Sequence, residues 1–193
     1  MRGHRLLWLL SVLTLSCASP LVSPPLPTVV RAIAVLPPNN QTGDPLFVGG
    51  TSLLEKYIFR SQPVTVADVL AVEVRIQLEQ RGITVLPRDQ VDAALGNQIP
   101  SSPKDAANLA SRGKLEGSVL YMEIVQWQPT QADSLHPWRM LVAIRAQLVD
   151  VASGRVVWTA HLPLRPVPTP GAVTRADADL IAAKQVAREL FAS

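Results

Sequence analysis

The side chains in this sequence best suited to nucleophilic or metal chemistry are its one cysteine, Cys17, and the two of its three histidines beyond the N-terminal apolar run, His136 and His161. The histidines share no H-x-x-x-H spacing and have no cysteine nearby, so they make no zinc set. No G-x-S-x-G elbow presents a serine, and no G-x-x-x-x-G-K-[ST] loop cradles a phosphate. Gly49-Gly50-Thr51-Ser52 has the glycines of such a loop but lacks its lysine. The carboxylates are scattered: Asp68, Glu73 and Glu79 look like the solvated flank of one helix, and Asp89 and Asp92 like the start of another. The sequence predicts no catalytic residue, cofactor or metal, and thus a non-enzymatic protein.

Cys17 has a different chemistry available. A basic start, Met1-Arg2-Gly3-His4-Arg5, precedes an apolar run at 6–15, too short to span a bilayer and shaped like a signal-peptide core. Leu13-Thr14-Leu15-Ser16 leads directly into the cysteine. Such a cysteine is either a chance residue beside an ordinary cleavage site or the acceptor of a diacylglyceryl group. Leu15 and Ser16 resemble the lipobox of bacterial lipoproteins, with Thr14 where leucine is usual, and the lipoprotein reading is adopted here. It makes 1–16 a signal peptide and Cys17 a lipidated N-terminus carrying palmitate-type chains. Two or three such chains hold stably, at roughly 0.8 kcal/mol per buried methylene. Ala18-Ser19 lacks the aspartate that retains these lipoproteins in the inner membrane. The resemblance therefore implies an outer-membrane anchor facing the periplasm.

At 193 residues, 48% hydrophobic and 17% charged, the chain has room for one domain with a proper core. Loss of the signal removes Arg2 and Arg5 and leaves 16 basic against 15 acidic residues, which gives no case for nucleic acid. A single cysteine excludes an internal disulfide. Four of the 17 prolines, Pro20, Pro24, Pro25 and Pro27, make 17–30 read as a stiff tether. At about 3.1 Å per residue it would hold the domain roughly 40 Å from the lipid.

The longest regular pattern runs over 138–149. Trp138, Met140, Val142, Ile144, Ala146 and Leu148 alternate with Arg139, Leu141, Ala143, Arg145, Gln147 and Val149, so the spacing predicts a strand with one wholly apolar face. A turn at 150–155 returns it through 156–160. Earlier strands are expected at 31–36, 83–86 and 118–127, with Leu120, Met122 and Ile124 inward and Trp127 facing Trp138 across the hairpin. Thr65 caps a helix to 81 that Gly82 stops. Its stripe Ala67, Leu70, Ala71, Val74 and Leu78 lies opposite a second one, Val69, Val72 and Ile76. Short helices follow over 88–95 and from Ser102 to near Gly113. The proline-rich 163–172 reads as a solvated spacer, and Thr174 opens a helix over 173–193 with the stripe Ala176, Leu180, Ala183, Ala187, Leu190 and Phe191. The order β-α-β-α-α-β-β-β-α gives an α/β (α+β) domain over 31–162, a mixed five-stranded sheet with helices mainly on one face.

Three stretches carry a family likeness. Ile33-Ala34-Val35-Leu36-Pro37-Pro38 with Asn40 and Gly43-Asp44 resembles the opening strand of TolB amino-terminal-like domains. The run 80–88 with Val91-Asp92-Ala93-Ala94-Leu95 is similar to the curli-secretion (CsgG-like) lipoproteins, and so is 147–158, the most specific stretch. The likeness extends to LpoB-like peptidoglycan-synthase activators. It implies a non-enzymatic periplasmic module that binds proteins in envelope biogenesis or secretion, not a pore, because no long amphipathic hairpins are inserted.

The expected partner surface comprises Phe47, Leu54, Ile58 and Phe59 from the apolar segment 46–62 with Val69, Val72 and Ile76. A helix on a sheet needs one apolar face. The second must be covered by 46–62, by another copy of the chain in a homo-oligomer, or by an envelope protein. The alternative is a small-ligand or glycan site on the mixed sheet face with Arg139, Arg145 and Gln147.

Overall fold

The computed structural model describes residues 24–27, 32–48, 63–96, 98–130 and 138–192. In chain order they form β1 (Ile33–Val35), β2 (Asn39–Asn40), α1 (Val66–Glu79), α2 (Arg88–Leu95), α3 (Pro103–Arg112), β3 (Ser118–Thr130), β4 (Arg139–Asp150), β5 (Val156–Pro168) and α4 (Arg175–Leu190). The alternation in β4 sets the centre: Met140, Val142, Ile144, Ala146 and Leu148 share one face and are all buried. β3 pairs antiparallel on one side of it and β5 on the other. β1 and β2 both lie parallel to β3, completing the expected mixed five-stranded sheet. The segment 83–86 joins only through a bridge from Val85 to Ile33, where the Ile33 N–H donates to the Thr84 carbonyl at 2.9 Å. Asn39–Asn40, beyond the strand expected at 31–36, takes the fifth place in the ladder.

The two long helices, α1 and α4, cover the apolar face together. Leu70, Val74 and Leu78 of α1 and Ala182, Val186 and Leu190 of α4 enter one core with the inward residues of β3, β4 and β5. The short helices α2 and α3 lie on the other face, where Val91, Leu95, Ala106 and Leu109 meet Val119, Tyr121 and Val149. Both long helices start as the sequence requires. The Thr65 hydroxyl accepts from the Asp68 N–H at 3.2 Å, while the Asp68 carboxylate accepts from the Thr65 N–H at 3.1 Å. Thr174 and Asp177 repeat the arrangement at 3.1 and 2.9 Å.

Four local expectations change. The proline-rich stretch is largely strand rather than spacer: β5 runs to Pro168, with Val167 buried opposite Met140. Pro is tolerated because β5 is the sheet edge, where a missing N–H can face solvent. A bulge opposite Ala143 takes up Pro163 and Leu164. Trp127 does not meet Trp138, because β3 and β4 stay paired beyond it and place it opposite Val142. Its indole N–H donates instead to Asp179 of α4 at 2.8 Å.

That bond accompanies the third change. Ala178, Ala182 and Val186 of α4 point inward, whereas Leu180, expected in the stripe, is 44% exposed. Asp179 is only 1% exposed, and turning it to Trp127 rotates the helix. Fourth, residues 24–27 do not stand free as a tether. The Trp158 indole donates to the Pro24 carbonyl at 2.7 Å, and Leu26 packs against the core.

Removing the α1 cap by Thr65→Ala should cost about 1 kcal/mol and lower the thermal midpoint by roughly 2–4 °C, read by calorimetry. Burial pushes the Asp179 carboxyl above its ordinary range, against the Trp127 hydrogen bond and Arg175. A raised acid pKa favours folding below the unfolded value near 3.8, and that advantage is lost as pH rises through the folded value. Asp179→Asn, which keeps an acceptor for Trp127, should therefore be neutral or stabilising at pH 7. Asp179→Ala should cost about 1–3 kcal/mol by orphaning the indole N–H. Denaturant titrations at pH 4 and pH 7 separate the two cases.

Candidate interaction surface

α1 has its inner residues in the core and still carries apolar side chains outside. Val69 is half-buried against the core edge, whereas Val72 and Ile76 are 45% and 38% exposed. Their spacing puts all three on one outer stripe. A cavity of about 390 Å³ opens beside it, lined by Val64, Asp68, Val69, Val72, Glu73 and Arg88 among others. A second cleft of about 190 Å³ runs under Val72 toward Pro37, Arg75 and the exposed Ile99.

The rim is held by arginines. Arg75 donates to the Leu86 carbonyl at 2.6 Å and the Val35 carbonyl at 3.0 Å, tying α1 to the segment after it and to β1. Arg88 bridges Asp68 at 3.2 Å and Asp92 at 3.3 Å, joining the starts of α1 and α2. Partial burial works against the Asp68 charge, but the Thr65 hydroxyl and N–H and the Arg88 guanidinium outweigh it and hold the carboxyl below its ordinary range. Asp68, read from the sequence as a solvated charge, and Asp92, read as part of a helix start, are thus partners of one cation.

Phe47 lies elsewhere. It bridges to Thr65, and the Val48 N–H donates to the Val64 carbonyl at 2.9 Å, so Phe47–Val48 lies against Val64–Thr65 at the start of α1. Phe47 lines a separate cavity of about 500 Å³ with Asp44, Leu46, Arg175 and Asp179, on the α4 side. Leu54, Ile58 and Phe59 lie outside the described residues, as do Cys17, His136 and the signal segment. Four of the seven expected partner residues can therefore be placed, and three of those four form one stripe.

Of the alternative site, Arg145 and Gln147 lie two positions apart on β4, opposite Glu123 and Tyr121, but Arg139 does not join them. Arg139 and Arg145 are six positions apart on one strand, roughly 20 Å, and Arg145 is engaged at 3.4 Å by Glu123. Glu123 also accepts from Tyr121 at 2.9 Å and Gln41 at 3.0 Å, while Asn39 donates to Tyr121 at 3.4 Å. Burial, with the Asn39 bond opposing it, raises the Tyr121 hydroxyl above its ordinary range. This polar cluster depends on β2, which alternation could not reveal. His161 is exposed opposite Arg145. Among the described residues no group of His, Cys, Asp or Glu is arranged to hold a metal, and no helix is long and apolar enough to cross a membrane.

No family model and no characterised protein sequence matches the chain, so the expected TolB amino-terminal-like and curli-secretion kinship finds no support there. Solved structures do match. The lipoprotein GNA1162 from Neisseria meningitidis has a TM-score of 0.50 at 16% identity, over 81% of this chain and 97% of its own. The PelC dodecamer from Paraburkholderia phytofirmans scores 0.47 at 16% identity, over 89% and 94%. LpoB from E. coli scores 0.41 at 14% identity, over 72% and 60%. The chain has the fold of the Neisseria lipoprotein, and identities this low establish fold alone.

Arg88→Ala should change stability by less than about 1 kcal/mol, because both of its ion pairs are exposed. A larger loss in denaturant titration would make the bridge part of the core.

Proposed function

We propose that this protein is a non-enzymatic lipoprotein of the bacterial envelope, anchored by Cys17 in the outer membrane and facing the periplasm. It acts through protein contacts as an accessory or assembly factor in envelope biogenesis or secretion. The observation that carries the reading is the outer stripe of α1. Val72 and Ile76 stay exposed on a well-capped helix whose inner face is already packed against the sheet. The fold shared with a Neisseria lipoprotein and the lipobox-like run before Cys17 support the envelope assignment. The stripe takes a protein, either a second copy of this chain or another envelope protein.

Light scattering after size exclusion on the chain from residue 18 onward separates these partners. An oligomer that Val72→Asp with Ile76→Ser reduces to a monomer, with a thermal midpoint changed by only a few degrees, fits self-association. A monomer that loses crosslinks to an envelope protein on the same change fits a heterologous partner. Unfolding of the double variant would make the stripe core, covered by the chain itself, and defeat the proposal.

A further inference from the structure

One end of the domain gathers several features that the protein-contact reading does not use. There Ile33 lies beside Ser118, Ser118 beside Asp150, and the turn at 151–155 joins β4 to β5. α1 and α4 both finish at this end, where Arg81 donates to the Phe191 carbonyl at 3.0 Å. The Phe191 ring stacks on Trp158 with centroids 5.6 Å apart, and the Arg81 guanidinium lies 5.8 Å from that ring's centre. α3 also ends here and leads through Lys114 into β3.

The charge at this end is mostly positive. Arg81, Arg112, Lys114, Arg155 and Arg188 are all exposed, and none has a carboxylate ion-pair partner among the described residues. Of the nearby acids, Asp150 is spent on its own turn, accepting from the Ser153 N–H at 2.8 Å and hydroxyl at 2.6 Å. Glu189 is paired with Arg165, which among the described residues leaves Glu79 and Glu116 as the opposing charges. Val156 and Val157 are exposed beside Arg155.

The N-terminal segment is fastened to the same end through the bond from Trp158 to Pro24. Six residues lie between Cys17 and Pro24, and the seven Cα–Cα steps reach at most about 25 Å even when fully extended. Acyl chains on Cys17 would therefore bring this end to the bilayer.

We infer that the end bearing Arg81, Lys114, Arg155 and Arg188 docks on an anionic lipid surface, so that the domain sits against the membrane instead of hanging from a tether. The inference rests on the lipid anchor proposed at Cys17. Its electrostatic part is separable, because basic residues near an anionic bilayer bind without any acyl chain and weaken with salt.

The test uses lipid-free protein from residue 18 to 193, which contains both core clusters and every element described above. Co-sedimentation is measured with vesicles of phosphatidylcholine alone and with phosphatidylglycerol added. Binding only to the anionic vesicles, lost at high salt, is the expected result. Replacing Lys114, Arg155 and Arg188 together by Ala should weaken it on the order of 100-fold, at roughly fivefold per charge. Unchanged circular dichroism would confirm that these exposed positions leave the fold intact. Absence of binding to anionic vesicles, equal binding to neutral ones, or no effect of the triple change would each overturn the docking surface. The anchor is tested separately, by intact mass of the protein extracted from membranes. A Cys17 without a diacylglyceryl group would defeat the lipoprotein reading whatever the vesicles show.

Discussion

The inner face of the β3–β4–β5 meander is the constraint on which the rest of the structure depends. β4 alone presents five buried apolar residues in succession, and a twelve-residue strand is about 40 Å long. Helices of 14 and 16 residues reach only roughly 21–24 Å. α1 and α4 therefore cannot cover the sheet by themselves. The remainder is closed by Leu46 at one end and by Phe191 and Leu26 at the other, each drawn in because exposed apolar surface costs about 25 cal/mol per Å². The docked N-terminal residues thus belong to the same packing problem as the helices.

Covering the face also fixes how α4 lies. Its buried positions are mostly alanine, which lets the helix come close to the sheet and to α1, but small side chains specify rotation poorly. Asp179 supplies the missing specificity. A buried carboxylate is costly unless it is paired, and the Trp127 indole N–H is the donor that the sheet offers. One polar bond therefore selects which alanines face inward, and it accounts for the exposure of Leu180 better than the hydrophobic pattern does.

Once the core is satisfied, the surface is unevenly divided. The outer stripe of α1 is apolar beside a bridged Arg88, whereas the end where both long helices finish is basic and carries the docked N-terminal segment. The two regions suit different partners: a packed protein surface for the first, and a charged, wet surface for the second. The polar cluster around Glu123 is self-satisfied by Tyr121, Gln41 and Arg145 and stabilises the attachment of β2.

What the sequence determined by itself was everything set by local periodicity and local hydrogen bonding. The period of two in β4 and β3, the Thr65 cap and the Thr174 capping box, the Ser102-Pro103 start of α3 and the second stripe of α1 follow from neighbours a few residues apart. The tertiary structure decided what depends on distant partners. Asn39–Asn40 is a strand only because β3 lies beside it, and 163–168 is a strand only because an edge position forgives proline. The bulge opposite Ala143 breaks the alternation that would have revealed that extension. Likewise, the rotation of α4 and the docking of 24–27 rest on indole hydrogen bonds to Asp179 and Pro24, residues remote in sequence from Trp127 and Trp158. Period and propensity act over one or two turns of chain; a donor buried by folding finds its acceptor only once the sheet has brought the two together.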